Sequence, residues 1–207
     1  MPTTDLLIMP GSPALIPELG PKDDKLRPIL DKLIHTLHAD PRPRHLIGSR
    51  DPRWHTTLTG SLRAWGDTSG INVHAGNFLP EILQRRLLGP ALGDVTSIRD
   101  TLGRPDPHAL SIVCVDGSAG LTLRAPLTLL ETALPTHQWC CGLLGDQGMP
   151  HQKVQHASAQ ELTRAGIIEP VLWLELAALA PNYHRSLLAT DTDTGVGRYI
   201  ATWEAIA

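Results

Sequence analysis

The sequence predicts an α/β fold in three layers, with a central, mostly parallel, mixed sheet flanked by helices. Three observations predict it. Short apolar runs of strand length alternate with segments of helical periodicity. The run at 109–115 (Ala-Leu-Ser-Ile-Val-Cys-Val) is apolar throughout, as a strand buried on both faces must be. Two strand-like segments close the chain, joined by a short Asp/Thr/Gly linker that suits an antiparallel end to the sheet.

The elements follow in order. Residues 5–9 (Asp-Leu-Leu-Ile-Met) form a first strand that stops at Pro10-Gly11-Ser12-Pro13. A helix is expected over 24–38, with Leu26, Ile29, Leu30, Leu33, Ile34 and Leu37 on one face. Pro28 falls in its first turns, where a missing N–H costs least. A Pro-rich turn leads into a second strand, Arg44–Gly48. Residues 51–70 are irregular and polar, with Trp54 and Trp65 as anchors. Residues 72–74 read as a short strand, and 80–88 as a helix with Pro80 in its first turn. The Gly- and Pro-containing stretch 89–108 reads as a surface wrap around a short helix near 95–102. The strand at 109–115 ends in the sharp turn Asp116-Gly117-Ser118. Helices are expected at 128–134 and around 139–144. Ser158 and Glu161 fit a capping box, opening a helix that stops near Gly166. Pro170 opens the next helix, whose Val171, Leu172, Leu174, Leu176 and Leu179 imply burial on more than one face, with Trp173 in the core. Strands at 185–190 and 198–203 end the chain.

Composition bounds the function classes. A chain of 207 residues is most simply one domain and can bury a substantial core. The formal charge of −3 is close to neutral, and no face-wide cluster of Lys and Arg marks a nucleic-acid partner. The densest basic stretch (Arg42, Arg44, Arg50, Arg53) is interrupted by Asp40 and Asp51 and reads as a solvated or pocket-lining loop. No apolar stretch approaches the ~20 residues of a membrane helix. The first apolar run is too short for a signal segment, so a cytoplasmic location without a membrane partner is expected. Three cysteines are an odd number for a disulfide framework, and the adjacent Cys140 and Cys141 read as structural thiols.

Four motifs carry a resemblance. The strand 5–9 with its loop Pro10-Gly11-Ser12-Pro13, the turn Asp116-Gly117-Ser118-Ala119-Gly120, the segment Ala165-Gly166-Ile167-Ile168-Glu169-Pro170 and the terminal Gly195-Val196-Gly197-Arg198-Tyr199 occur in that order. Together they resemble the LigB-like family of class III extradiol dioxygenases, nearest to an actinobacterial branch of it. The resemblance implies a LigB-like α/β fold and descent from Fe(II)-dependent ring-opening enzymes, which are often oligomeric. In those enzymes two His and a Glu hold the iron, and a further His moves protons. The matching positions here are Gly11, Arg50, Ala165 and Ala119. Gly and Ala offer no donor atom, and a guanidinium repels a metal ion. The resemblance therefore implies a pseudoenzyme without a cofactor. The alternative is a dioxygenase that holds Fe(II) through relocated ligands, His55 among them.

Ser12, Ser49, Arg50, Asp116 and Ser118 remain at the predicted strand ends and should border one crevice. Arg50 with serine hydroxyls would suit a small anionic molecule, with Arg124 and Arg198 as further candidates to join it. The plainer reading is that Asp116 and Ser118 cap their turn and Arg50 pairs with Asp116. Other constellations are weaker. His35 and His38 read as solvent-exposed, and His151 and His156 are five apart, the wrong step for one helix face. Ser118 superficially resembles a hydrolase nucleophile turn, with His137, His151, His156 and His184 as unassigned partners. A purely structural or interaction protein, presenting an exposed apolar patch, is the third possibility, and a homo-oligomer is expected.

Overall fold

The computed structural model describes residues 4–146 and 158–206. Among them six strands form one mixed sheet. They are β1 (Leu6–Met9), β2 (Arg44–Gly48), β3 (Val95–Arg99), β4 (Leu110–Cys114), β5 (Tyr183–Asp191) and β6 (Arg198–Ala205). Their order across the sheet is β3-β2-β4-β1-β6-β5. The first four strands run parallel, and the β5–β6 hairpin adds antiparallel to β1. The helices are α1 (Arg27–Leu37), α2 (Leu79–Leu88), α3 (Ala133–Leu144), α4 (Ala159–Arg164) and α5 (Pro170–Leu179).

Pleat alternation assigns each central strand to two cores. Leu6 and Ile8 of β1, Val113 of β4, and Tyr199, Ala201 and Trp203 of β6 pack with Trp139, Leu143, Leu162, Leu172, Trp173 and Leu176 of α3, α4 and α5. Leu7, Met9, Leu46, Ile112 and Ile200 face the other way, onto Leu30 and Leu37 of α1 and Leu88 of α2. A period-2 strand with both faces apolar can be satisfied only by helices on both sides, which accounts for the three layers. A smaller core of Ile16, Leu62, Leu79, Ile82 and Leu83, packed by Trp54 and Trp65, supports the long polar loop beyond β2. Gln84 of α2 reaches into the sheet, donating to the carbonyls of Ile47 (2.9 Å) and Ile112 (2.8 Å).

Several segments differ from the sequence reading. Residues 95–99 are an edge strand, not a helix. Their Val, Thr and Ile favour extended backbone, and β2 offers an unpaired edge to receive it. Residues 128–134 and 139–144 do not form two helices but belong to an irregular segment followed by the single helix α3. Thr128 has φ +55°, which ends any helix there, and Pro135 lies in the first turn of α3, where its missing N–H is tolerated. Residues 72–74 are not a strand; Val73 N–H bonds only across the loop to the Gly60 carbonyl at 2.9 Å. Helix α1 starts three residues late because the Asp24 carboxylate accepts the N–H groups of Leu26 (2.9 Å) and Arg27 (3.2 Å). The capping box of Ser158 and Glu161 forms as expected. The His151–His156 stretch lies outside the described residues. No helix among the described residues is long and apolar enough to cross a membrane.

Arg198, at the start of β6, is fully buried and lies between two buried carboxylates. Its guanidinium donates to Asp24 at 2.6 Å and to Asp191. The cluster ties the cap of α1 to both strands of the hairpin. Removing the cation leaves two carboxylates buried together without a counter-charge. Arg198→Met should therefore lower stability by about 3–5 kcal/mol in urea denaturation. Lys25→Ala, which breaks only the exposed pair with Asp193, should leave the unfolding midpoint unchanged. Equal effects of the two substitutions would contradict this division of labour.

Candidate functional site

Three parallel strands end at one level. Met9 of β1 and Gly48 of β2 both stand opposite Cys114 of β4. The chain beyond each end turns over the sheet edge, and these turns wall a pocket of about 210 Å³. The β1 turn supplies Gly11, Ser12 and Pro13, the β2 turn Ser49, and the β4 turn Asp116, Gly117 and Ala119. Leu79 and Pro80 of α2, Trp54, Pro126, Val196 and the Ile168-Glu169 pair ahead of α5 complete it. Crevices at the carboxyl ends of parallel strands are the usual ligand sites of such sheets.

Asp116 is the central polar group. The Gly11 N–H donates to its Oδ1 at 3.1 Å, and Trp173 Nε1–H donates to its backbone carbonyl at 2.8 Å. The carboxyl faces the pocket but is surrounded by protein. Burial pushes its pKa up to about 7, against the opposing pull of the Gly11 N–H and the positive charge of Arg198. Near neutral pH it is thus poised between a hydrogen-bond donor and an acceptor. The Cys114 thiol, also in the wall, donates to the Pro10 carbonyl at 3.1 Å, and burial raises its pKa well above the ordinary thiol value.

The predicted residues separate into two groups. Ser12, Ser49 and Asp116 line the pocket. The Ser12 hydroxyl accepts from Ala14 N–H (3.3 Å) and that of Ser49 from Asp51 N–H (3.2 Å). Arg50 and Ser118 do not line it. Arg50 turns away to pair with Glu81 at 3.6 Å and lies over the Phe78 ring at 4.4 Å. It does not meet Asp116. Ser118 is fully buried beneath the turn, where its hydroxyl accepts from Gly120 N–H at 3.1 Å. His137 bonds to Tyr199 rather than to Ser118, and His184 is exposed on edge strand β5, so no Ser–His pair assembles there among the described residues. Arg198 is committed to its buried cluster, and Arg124 is exposed away from the lining.

Of the positions matched to metal and acid–base roles, Gly11 and Ala119 lie in the wall, while Ala165 is a buried helix cap away from it. His55 is exposed, its ring edge-on to Phe78 at 5.2 Å. Among the described residues no three His, Cys, Asp or Glu side chains converge as metal ligands. Fe(II) needs two imidazoles and a carboxylate on one face, so the residues present do not fit that ion.

Glu169 and Trp54 do not stand out from sequence as pocket residues. Trp54 Nε1–H donates to Glu169 Oε1 at 2.9 Å, joining the β2 loop to the segment that opens α5. The available signal is Glu169-Pro170 at a helix start, four residues past the position matched to the family's Glu. Among the described residues no cationic side chain lines the pocket, and its acidic groups are Asp116 and Glu169. Such a slot can enclose an apolar body and bond one or two neutral polar groups on it.

The raised pKa of Asp116 has a stability consequence. The folded state holds this proton up to about pH 7, whereas the unfolded chain releases it near pH 4. Between those values the folded state binds more protons, so stability falls as pH rises, by an amount on the order of 4 kcal/mol over the whole window. Asp116→Asn should remove that fall, so the variant gains on the wild type from about pH 4 to about pH 7. Parallel stability profiles for the two proteins would contradict a raised pKa. No model of a known protein family matches the chain, and no curated protein sequence matches it.

Proposed function

We propose that this chain is a non-catalytic LigB-like protein, a pseudoenzyme whose strand-end pocket binds a small uncharged molecule of monocyclic aromatic size. The observation that carries the reading is the wall itself. It is mostly apolar, its polar side chains are the Asp116 and Glu169 carboxyls, the Ser12 and Ser49 hydroxyls, the Cys114 thiol and the Trp54 indole N–H, and among the described residues it has no cation. Size agrees, since an apolar cavity of about 150 Å³ accepts benzene and a substituted ring needs somewhat more. A ligand hydroxyl would meet Asp116 and Ser12. Asp116 can donate to it when protonated and accept from it when ionised.

The anionic ligand expected from Arg50 has little support, because that guanidinium is engaged by Glu81 outside the pocket. An anion entering beside Asp116 and Glu169 would lose hydration without meeting a counter-charge. Absence of catalysis is supported by Gly11 and Ala119, which stand in the wall with no donor atom.

Ligand-observed NMR at neutral pH, with phenol and benzoate as probes, tests the reading. Phenol should bind about tenfold or more tightly than benzoate, equivalent to roughly 1.4 kcal/mol. Gly11→Leu, which grows a side chain toward Asp116 Oδ2 (3.4 Å from a Cβ built there), should abolish binding. Val196→Trp, at another lining position, should do so as well. Preference for benzoate, or ring cleavage of catechol by iron-loaded protein, would overturn the proposal.

A further inference from the structure

A second constellation lies outside this pocket and shares no lining residue with it. His137 and Cys141 stand one turn apart on α3, and therefore on one face of the helix. Both line a cleft with Asp146, Arg185 and Leu187. His137 Nε2 is 3.7 Å from Cys141 Sγ, and its Nδ1 is 2.8 Å from the Tyr199 hydroxyl.

Tyr199 is fully buried and stacks on the imidazole, with ring centres 5.5 Å apart. Its hydroxyl occupies a slot that exists only because residues 117 and 197 are glycine: a Cβ at either would lie 2.5 Å from that oxygen. The phenol therefore fixes the imidazole ring and engages Nδ1, which turns Nε2 toward the thiol. A hydrogen-bonded second nitrogen of this kind is what normally orients a ligating histidine.

The separation fits an ion held between the two atoms. Bonds of about 2.3 Å to sulfur and about 2.0 Å to nitrogen, at a tetrahedral to trigonal angle, put the donors about 3.5–3.7 Å apart. Thiolate and imidazole together select soft ions over Mg²⁺ or Ca²⁺. Among the described residues no third His, Cys, Asp or Glu completes a metal-binding group, so a closed four-ligand zinc site is not formed. A linear two-donor ion would need the atoms roughly 4.3 Å apart, the sum of those bond lengths, so the ion required is a soft one that accepts two protein donors and a third donor from solution at a trigonal angle. We propose that Cys141 and His137 form a binding site for Cu(I), with Tyr199 as its positioning residue.

On binding, the Cys141 S–H bond breaks, an S–Cu bond forms, and the proton leaves to solvent with no change of oxidation state. Arg185 does not repel the ion with a free charge, because Asp146 pairs with it at 2.9 Å in the same cleft.

Reduced protein titrated anaerobically with Cu(I) against a chromogenic Cu(I) chelator tests the site. One equivalent should be withheld from the chelator. Cys141→Ser should lose it, His137→Ala should weaken it more than tenfold, and Tyr199→Phe should weaken it about tenfold through lost orientation. Copper-edge X-ray absorption on the wild type should show both a sulfur and a nitrogen donor, a result independent of whether any variant folds. Failure of the wild type to retain Cu(I), unchanged retention by Cys141→Ser, or a sulfur-only coordination shell would each overturn the assignment.

Discussion

The register of three parallel strands is the constraint on which the candidate site depends. Met9, Gly48 and Cys114 stand at one level, so the chain leaves the sheet three times over a single edge. The three turns must then share the space above it. Leu79 and Pro80 of α2 close one side, and Glu169 with Trp54 closes another. Strands ending at staggered levels would leave a groove. Ending together, they leave a compact slot.

The electrostatics of that slot follow from what lies behind it. Arg198 is close enough to act on Asp116, yet it is fully buried and bonded to Asp24 and Asp191. Its charge steadies the fold and is withheld from any ligand. Arg50 is held differently: it is exposed outside the lining, over the Phe78 ring and 3.6 Å from Glu81, which Arg85 engages at 3.0 Å. Two arginines placed by sequence near the crevice thus leave it without a cation among the described residues. A half-buried carboxyl with one backbone N–H donor then keeps its proton to about neutral pH.

Much of the fold was legible because it rests on local pattern. The apolar runs of β1, β2 and β4, the capping box of α4 and Pro170 at the start of α5 are signals within a few residues. Edge strand β3 was not legible, since its extended backbone answers to the free edge of β2 rather than to its own alternation. The single helix α3 was obscured because Thr128 takes a positive φ that no local motif announces. At the site, Ser12, Ser49 and Asp116 were readable as strand-end residues. The diversion of Arg50 was not, because it is decided by Phe78 and Glu81 some thirty residues away. The role of Glu169 depends on Trp54 across 115 residues of chain. The pairing of Cys141 with His137 shows the same division. Their four-residue spacing is visible in the sequence, but Tyr199, which turns the imidazole toward the thiol, comes from the last strand. Helix geometry alone would leave the ring free to rotate.

The most direct measurement of the central claim is a crystal structure of protein soaked anaerobically with phenol and Fe(II), with data collected at the iron edge. Phenol density against Asp116 and Ser12, with no anomalous peak at the strand ends, is the expected result. An ordered iron held there by side chains, with or without phenol, would contradict a metal-free binding pocket.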